Sequence, residues 1–452
     1  MKKTTLLFLI IICSQQAMAQ LNPAIEHWLI NTTGITGRHY VQGNSTPINE
    51  TTLANVQTVQ YSNNWVYVTT TGVPSYITGP FMDGNPSLAT NQNAIFKMPL
   101  NPAQNTGTAT ATSGGNIGIF ANGVALFDYR DGVAWNPATN ALCGGPGNPP
   151  CPGGPTAAMS WNRDAIPAEK AGFDCSKGHP AMGNYHHHQN PSAFKLDLTV
   201  ISNVCDLYDA DGLYVIDSTV HSPIIGYAYD GFPIYGAYGF KNADGTGGIT
   251  RIKSGYQLRN ITARTIWADG TDVPDGPAVS TTFPLGYFRE DYEFVSHGGQ
   301  ADYLDIHNGR VCVTPEYPNG IYCYFTTVNE EWNSAYPYVV GPTFYGVRTA
   351  AKVNAISETV TTYTSNVGIN ELKENDWSVY PNPSNDIIMV QVNDLTNQSY
   401  TVELYDALGK LIQSKQIIQG STIAYLQVDT LYKGLYQVKI SGQAGTKKLV
   451  IE

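Results

Sequence analysis

Five of the nine histidines fall between His179 and His221, and three of them are consecutive. They read Gly178-His179-Pro180, Tyr185-His186-His187-His188-Gln189-Asn190-Pro191 and His221-Ser222-Pro223. Neutral imidazole is the commonest protein ligand for transition metals. In an extended segment alternate side chains share a face, so His186 and His188 point one way and His187 the other. Such a pair needs one or two further ligands at about 2.0–2.1 Å to close a zinc or copper site, and His179 and His221 are the candidates. The competing reading has the same imidazoles bonded to backbone carbonyls in a polar core. Asp230 is a candidate to orient one ring from behind. Glu169 and Asp174 are carboxylates of the kind a hydrolytic metal site uses as a base. Arg163 and Asp164 lie close in sequence, and spacing does not place them.

Sulfur is the other soft ligand. The chain opens Met1-Lys2-Lys3, then an apolar run, then Ala17-Met18-Ala19 before Gln20, the three parts of a secretory signal peptide at residues 1–19. The run is shorter than the roughly 18 apolar residues of a membrane span. Cys13 leaves with that leader, and Cys143, Cys151, Cys175, Cys205, Cys312 and Cys323 remain. An even set in an exported chain favours disulfides, although about fifteen pairings are possible for six cysteines. Proximity suggests Cys143 with Cys151 and Cys312 with Cys323, which leaves Cys175 with Cys205. No C-x-x-C pair supports a thiolate metal site.

Other chemistries lose ground. The chain has no G-x-S-x-G, H-E-x-x-H, Walker or dinucleotide signature. Its Asp-Gly pairs, such as Asp244-Gly245 and Asp269-Gly270, complete no calcium loop and read as turns. A net charge of −11 excludes a basic surface for nucleic acid.

The elements that must position these residues are strands. Only 13% of the 452 residues are charged, whereas Tyr 29, Gly 44 and Pro 27 describe a turn-rich β protein with enough apolar residues for a core. Residues 56–61, 65–69, 117–120, 311–313 and 321–325 alternate or run apolar between Gly, Pro and Asn breakers. A short helix is predicted around residues 161–171. Residues 224–236, rich in Tyr, read either as a core strand followed by a turn or as a ligand-facing wall, with Tyr227 and Tyr235 assigned to the core. No repeat and no later apolar span is visible. A polar stretch at residues 361–376 then separates a last unit, 377–452, of short alternating strands, as in a small β-sandwich.

That last unit resembles the type A sorting domain of the type IX (Por) secretion system through Val379-Tyr380-Pro381-Asn382-Pro383, Leu404-Tyr405-Asp406 with Gly409, Lys433-Gly434-Leu435-Tyr436 and Lys447-Lys448-Leu449-Val450. The resemblance implies handling by the type IX machinery, passage through the outer membrane, removal of the unit, and release or attachment at the cell surface. Residues 50–347 resemble the YHYH-domain proteins through Asn122-Gly123-Val124, Trp161-Asn162-Arg163-Asp164-Ala165, Gly178-His179-Pro180, Tyr185-His186-His187-His188, the stretch His221-Ser222-Pro223-Ile224-Ile225-Gly226-Tyr227-Ala228-Tyr229-Asp230-Gly231-Phe232-Pro233-Ile234-Tyr235-Gly236, and Leu304-Asp305 with Asn308-Gly309-Arg310. The third position of the naming motif is His187 instead of Tyr, and its two histidines survive as His186 and His188. This resemblance names a domain without naming a reaction.

The sequence therefore predicts an exported all-β protein: a large disulfide-containing domain over 20–360, a linker at 361–376 and a sorting domain at 377–452. Its histidines hold copper or zinc at His179, His186, His188 and His221. Alternatives are a surface adhesin or carbohydrate-binding protein with structural histidines, and a metal-dependent hydrolase. The paired signals at the two ends carry a first expectation, that protein recovered from the cell surface or medium begins near Gln20 and lacks most residues after Thr361. Intact-mass measurement of the denatured polypeptide checks it, and a single chain that runs on through the last unit would contradict it.

Overall fold

The computed structural model describes residues 21–452 apart from 85–86, 155–158, 203, 209, 211, 365–376, 393–398, 408 and 441–445. The signal peptide predicted at 1–19 and most of the linker predicted at 361–376 lie outside the described residues. The fold is all-β. Its largest sheet has eight strands: β1 (Asn116–Phe120), β2 (Ala125–Phe127), β3 (His179–Ala181), β4 (Asn184–His187), β5 (Ile224–Ala228), β6 (Pro233–Tyr235), β7 (Gly309–Cys312) and β8 (Ile321–Phe325). They lie side by side in the order β3-β4-β2-β1-β5-β6-β8-β7. The central strand β5 is buried at every residue, as expected of a continuous apolar run covered on both faces.

A five-stranded sheet is built from Val56–Tyr61, Trp65–Thr70, Ala94–Pro99, Ala351–Val353 and Thr361–Thr362. Its Val59, Val66, Val68, Phe96 and Met98 share one core with Ile117, Ile119, Ile225, Tyr227 and Tyr235 of the larger sheet. Thr361 pairs with Tyr61, so this body keeps the chain in hand slightly beyond residue 360. The predicted helix is present as Ala165–Glu169, started by the Asp164 side chain, which accepts from the Ile166 amide at 2.9 Å. Among the described residues no helix is long and apolar enough to cross a membrane.

The last unit is a sandwich with its own core. Three strands, Trp377–Tyr380, Ile387–Val392 and Ile423–Gln427, face four, Leu411–Ile417, Tyr400–Tyr405, Gly434–Ile440 and Thr446–Ile451. Val390, Val392, Val402, Leu404, Val438 and Ile440 fill the space between them. Successive entries of this set are two residues apart along each strand, the period that sends alternate side chains inward.

Two of the three expected disulfides form, Cys143–Cys151 and Cys175–Cys205. The third does not: Cys312 and Cys323 are buried free thiols. The hairpin signal was right, but the register pairs Cys312 with Ile321 and Arg310 with Cys323. The two cysteines are therefore diagonal neighbours, and diagonal positions on one face stand about 7–8 Å apart. A disulfide wants Cα atoms about 5.5–6 Å apart. A hydrogen bond with Cys323, aided by the nearby Arg310 guanidinium against the opposing effect of burial, holds the Cys312 thiol below its usual pKa. Alkylation of denatured, unreduced mature protein should accordingly label Cys312 and Cys323 and no other cysteine. Finding both of them unlabelled would show that the hairpin shifts register to close a bridge.

Candidate metal centre

The histidines meet at one edge of the large sheet. β3 and β4 form a hairpin whose register sets His179 directly opposite His186. The connection runs Ala181-Met182-Gly183-Asn184, with φ of 49° at Met182 and 86° at Gly183. Two consecutive left-handed residues make the tight turn whose twist matches that of the strands. A side chain at Gly183 would also strike Thr90, whose Oγ1 lies 2.2 Å from the position of a Cβ. On its other side β4 pairs in parallel with β2, His186 beside Ala125 and His187 beside Leu126.

Alternation then sorts the three consecutive rings. His186 and His188 turn to one face, where the side-chain nitrogens of His179, His186 and His188 all lie within 4.8 Å of one another. His186 Nε2 and His188 Nε2 are 3.1 Å apart, and His179 Nε2 and His188 Nε2 3.4 Å. His187 faces the other way, into the core: its Nδ1–H donates to the Lys177 carbonyl at 3.1 Å, which leaves Nε2 to accept from the Tyr76 hydroxyl at 2.6 Å. Burial holds the His187 imidazole neutral, with its pKa pushed down to about 3.

The tautomers follow from the partners. His186 Nδ1 lies 2.9 Å from the Asn184 carbonyl and His188 Nδ1 2.6 Å from the Asp128 carbonyl. A carbonyl oxygen only accepts, so both Nδ1 atoms carry hydrogen and both Nε2 lone pairs are directed at the shared centre. Phe127 stacks on the His186 ring at 3.9 Å and Phe173 packs edge-on against His179 at 4.9 Å, which fixes the ring planes.

Glu169, the last residue of the short helix, completes the cluster. Its Oε2 is 3.2 Å from His179 Nε2 and 3.3 Å from His188 Nε2, and a quarter of its side chain remains exposed. Burial alone would raise its pKa, but hydrogen bonds to His179 and His188 outweigh that and hold the carboxyl well below its ordinary range. Burial likewise acts against a charged His188, and the Glu169 carboxylate overrides it, so that this imidazole is raised. His186 has no such partner; burial, and then its two imidazole neighbours, keep it well below its ordinary value.

Two expected members of the centre are elsewhere. His221 precedes β5 and packs against Tyr235, Phe240 and Phe325, with ring centroids at 5.1, 5.0 and 6.2 Å. Tyr235 is on β6, four strand spacings from β4, or roughly 19 Å at about 4.8 Å per strand. His221 Nδ1 donates to the Ser222 carbonyl at 2.8 Å, and burial pushes its pKa down to about 4. Asp230 orients no imidazole. It sits in the turn between β5 and β6 and accepts from the Tyr324 hydroxyl at 2.6 Å and the Gly346 amide at 2.8 Å. The backbone carbonyls of Asn184 and Asp128 do the orienting instead, and no side-chain pattern announces a carbonyl.

Asp174 is also removed from the centre. It is fully buried, accepts from the amides of Gly79, Ser176 and Gly178 and from the Tyr185 hydroxyl, and so ties the loop that leads into His179. Arg163 is ion-paired to Asp131, and Asp164 accepts from the Tyr338 hydroxyl at 2.6 Å. Of the carboxylates named from the sequence, Glu169 alone reaches the rings.

Among curated proteins none matches the chain. A family model described as "YHYH protein" matches residues 95–337, more than half of the chain, and one described as "Secretion system C-terminal sorting domain" matches residues 378–452. The sorting domain marks the chain for export and for secretion or attachment at the cell surface through the type IX system. The histidine hairpin, the β5–β6 turn and β7–β8 all fall inside the first match, and the chain belongs to the YHYH protein family.

Proposed function

We propose that the YHYH domain is a transition-metal-binding module, with copper or zinc held by His179, His186 and His188 and by Glu169 as a fourth ligand. One observation carries this reading: the Nε2 atoms of His186 and His188 stand 3.1 Å apart while both Nδ1 positions face carbonyl oxygens. Two lone pairs held that close repel unless a cation lies between them. A proton shared with Glu169 is the minimal cation, and a divalent metal satisfies all the donors at once. Imidazole suits both ions, and the affinity order of first-row metals favours copper where it is available. The carboxylate neutralises part of the ion's charge. Glu169 and His179 are the members of the cluster that keep some exposure, 25% and 10% of their side chains, so a further ligand or substrate would approach from that side.

Protein prepared without a polyhistidine tag and passed through gel filtration after exposure to zinc or copper should retain one ion per chain. His188→Ala should abolish retention, and Glu169→Gln should weaken it by about 10-fold or more, the range seen when a supporting ligand is lost. Added metal should raise the melting temperature, since a ligand at a hundred times its Kd stabilises by about 2.7 kcal/mol. His187→Ala should leave the stoichiometry of the folded fraction unchanged. It should lower stability by about 2–4 kcal/mol in urea titration, because a buried ring is lost and the Tyr76 hydroxyl is stranded. Equal loss of metal in the His187 and His188 variants, or no retention in the parent protein, would overturn the assignment and return the histidines to a structural role.

A further inference from the structure

The sorting domain does not merely follow the YHYH domain; it is seated on it. Met389, Ile423 and Tyr425 of the sandwich form one buried cluster with Ala193, Leu196 and Val215 of the larger body, flanked by Tyr380 and Ile387. Val215 lies between Tyr214 and Ile216, both of which belong to the main core, so consecutive side chains of this stretch pack into different bodies. The Tyr380 hydroxyl donates to the Ile216 carbonyl at 3.2 Å, and the Thr422 hydroxyl to that of Leu213 at 3.4 Å.

A loop of the sandwich supplies the polar half of the seam. Gln419 is 1% exposed, and its amide is fully used across the boundary. Its Nε2 donates to the Ile30 carbonyl at 2.9 Å and to Thr32 Oγ1 at 2.7 Å, while Oε1 accepts from the Thr33 amide at 3.0 Å and from the Thr33 hydroxyl. The next residue, Gly420, has φ of +81° and runs so close to the larger body that a Cβ there would lie 2.0 Å from Asn55 Nδ2 and 2.7 Å from Ser75 Oγ. A buried glutamine whose side-chain amide makes all its hydrogen bonds to the other body, an apolar cluster drawn from both, and a close approach at a left-handed glycine are features of a specific interface. Contacts between tethered domains are usually more polar and looser.

We propose that the YHYH domain carries a built docking surface for its own sorting domain, and that the two bodies remain together as a non-covalent pair after the chain between them is cut. Cutting the linker then does not by itself free the larger body. Release requires the seam to open, which uncovers Val215 together with Ala193 and Leu196, the latter two a few residues beyond His188.

The full-length chain with a specific protease site introduced between residues 365 and 376 tests this. After complete cleavage, size-exclusion chromatography at micromolar concentration should return both fragments in one peak, with native mass spectrometry giving one copy of each. Gln419→Ala and Val215→Glu, placed on opposite sides of the seam, should each weaken the pair by roughly tenfold or more. Gln419 is outside the strands of the sandwich, and unchanged far-UV dichroism of that variant separates lost docking from lost folding. Separation of the parent fragments into two peaks overturns the proposal, as does co-elution that neither variant weakens.

Discussion

The structure depends on the approach of three buried imidazoles, with His186 Nε2 and His188 Nε2 3.1 Å apart, His179 Nε2 3.4 Å from His188 Nε2, and the Nδ1 positions of His186 and His188 taken by carbonyl oxygens. Like lone pairs repel, and burial removes the water that would otherwise separate them. The surroundings enforce that approach. The hairpin register sets His179 across from His186, the two-residue period of β4 brings His188 to the same side, and the short helix delivers Glu169 to the remaining gap. Each of these supports has its own fixings: the left-handed pair Met182-Gly183, the Asp128 and Asn184 carbonyls, and the Asp164 cap. The cluster is the part of the fold in which local electrostatics oppose the geometry, and such conflicts concentrate at functional sites.

His187 shows how one residue stabilises this arrangement from behind. It has the same chemistry as its neighbours and the opposite task. Both its nitrogens are bonded within the core, to Tyr76 and to the Lys177 carbonyl, so β4 cannot roll about its axis without breaking a buried pair. The position is occupied by Tyr in the motif that names the family; here an imidazole fills it and is held neutral by burial.

Strand positions and alternation were legible in the sequence, because they depend on neighbours one and two residues away. Val66 and Val68, Val402 and Leu404, and the split of His187 from His186 and His188 all follow from period two. What depends on register or on long loops was not legible. Cys312 and Cys323 bracket a real hairpin, yet a shift of two positions in pairing separates a bridge from two thiols. His221 is followed by Ser-Pro and lies in the same histidine-rich stretch, but β5 and β6 carry it to the far half of the sheet. Glu169 was visible as a carboxylate and not as a neighbour of His179, since a loop stapled by Cys175 fixes that contact and no spacing rule encodes it.

The abundance of tyrosine acquires a physical meaning beside these charges. Buried and half-buried carboxylates in this fold repeatedly accept from phenols: Asp174 from Tyr185 at 2.9 Å, Asp164 from Tyr338 at 2.6 Å, Asp230 from Tyr324 at 2.6 Å, and the half-buried Asp305 from Tyr322 at 2.9 Å and Glu316 from Tyr235 at 2.7 Å. A phenol satisfies a lone pair without importing a positive charge, and burial moves Asp164 and Asp174 up to about 7, toward the neutral form. Two cations near the centre are matched, Lys177 with Asp197 at 2.6 Å and Arg130 with Asp128 at 2.8 Å, and Lys170 donates to the Ile201 carbonyl at 2.6 Å. The field at the histidines is therefore set mainly by the groups that face it. Glu169 is the carboxylate that reaches His179 and His188, at 3.2 and 3.3 Å, and it raises His188 against the same burial that keeps His186 well below its ordinary value, so one anion, one basic imidazole and one suppressed imidazole are held together at a buried sheet edge.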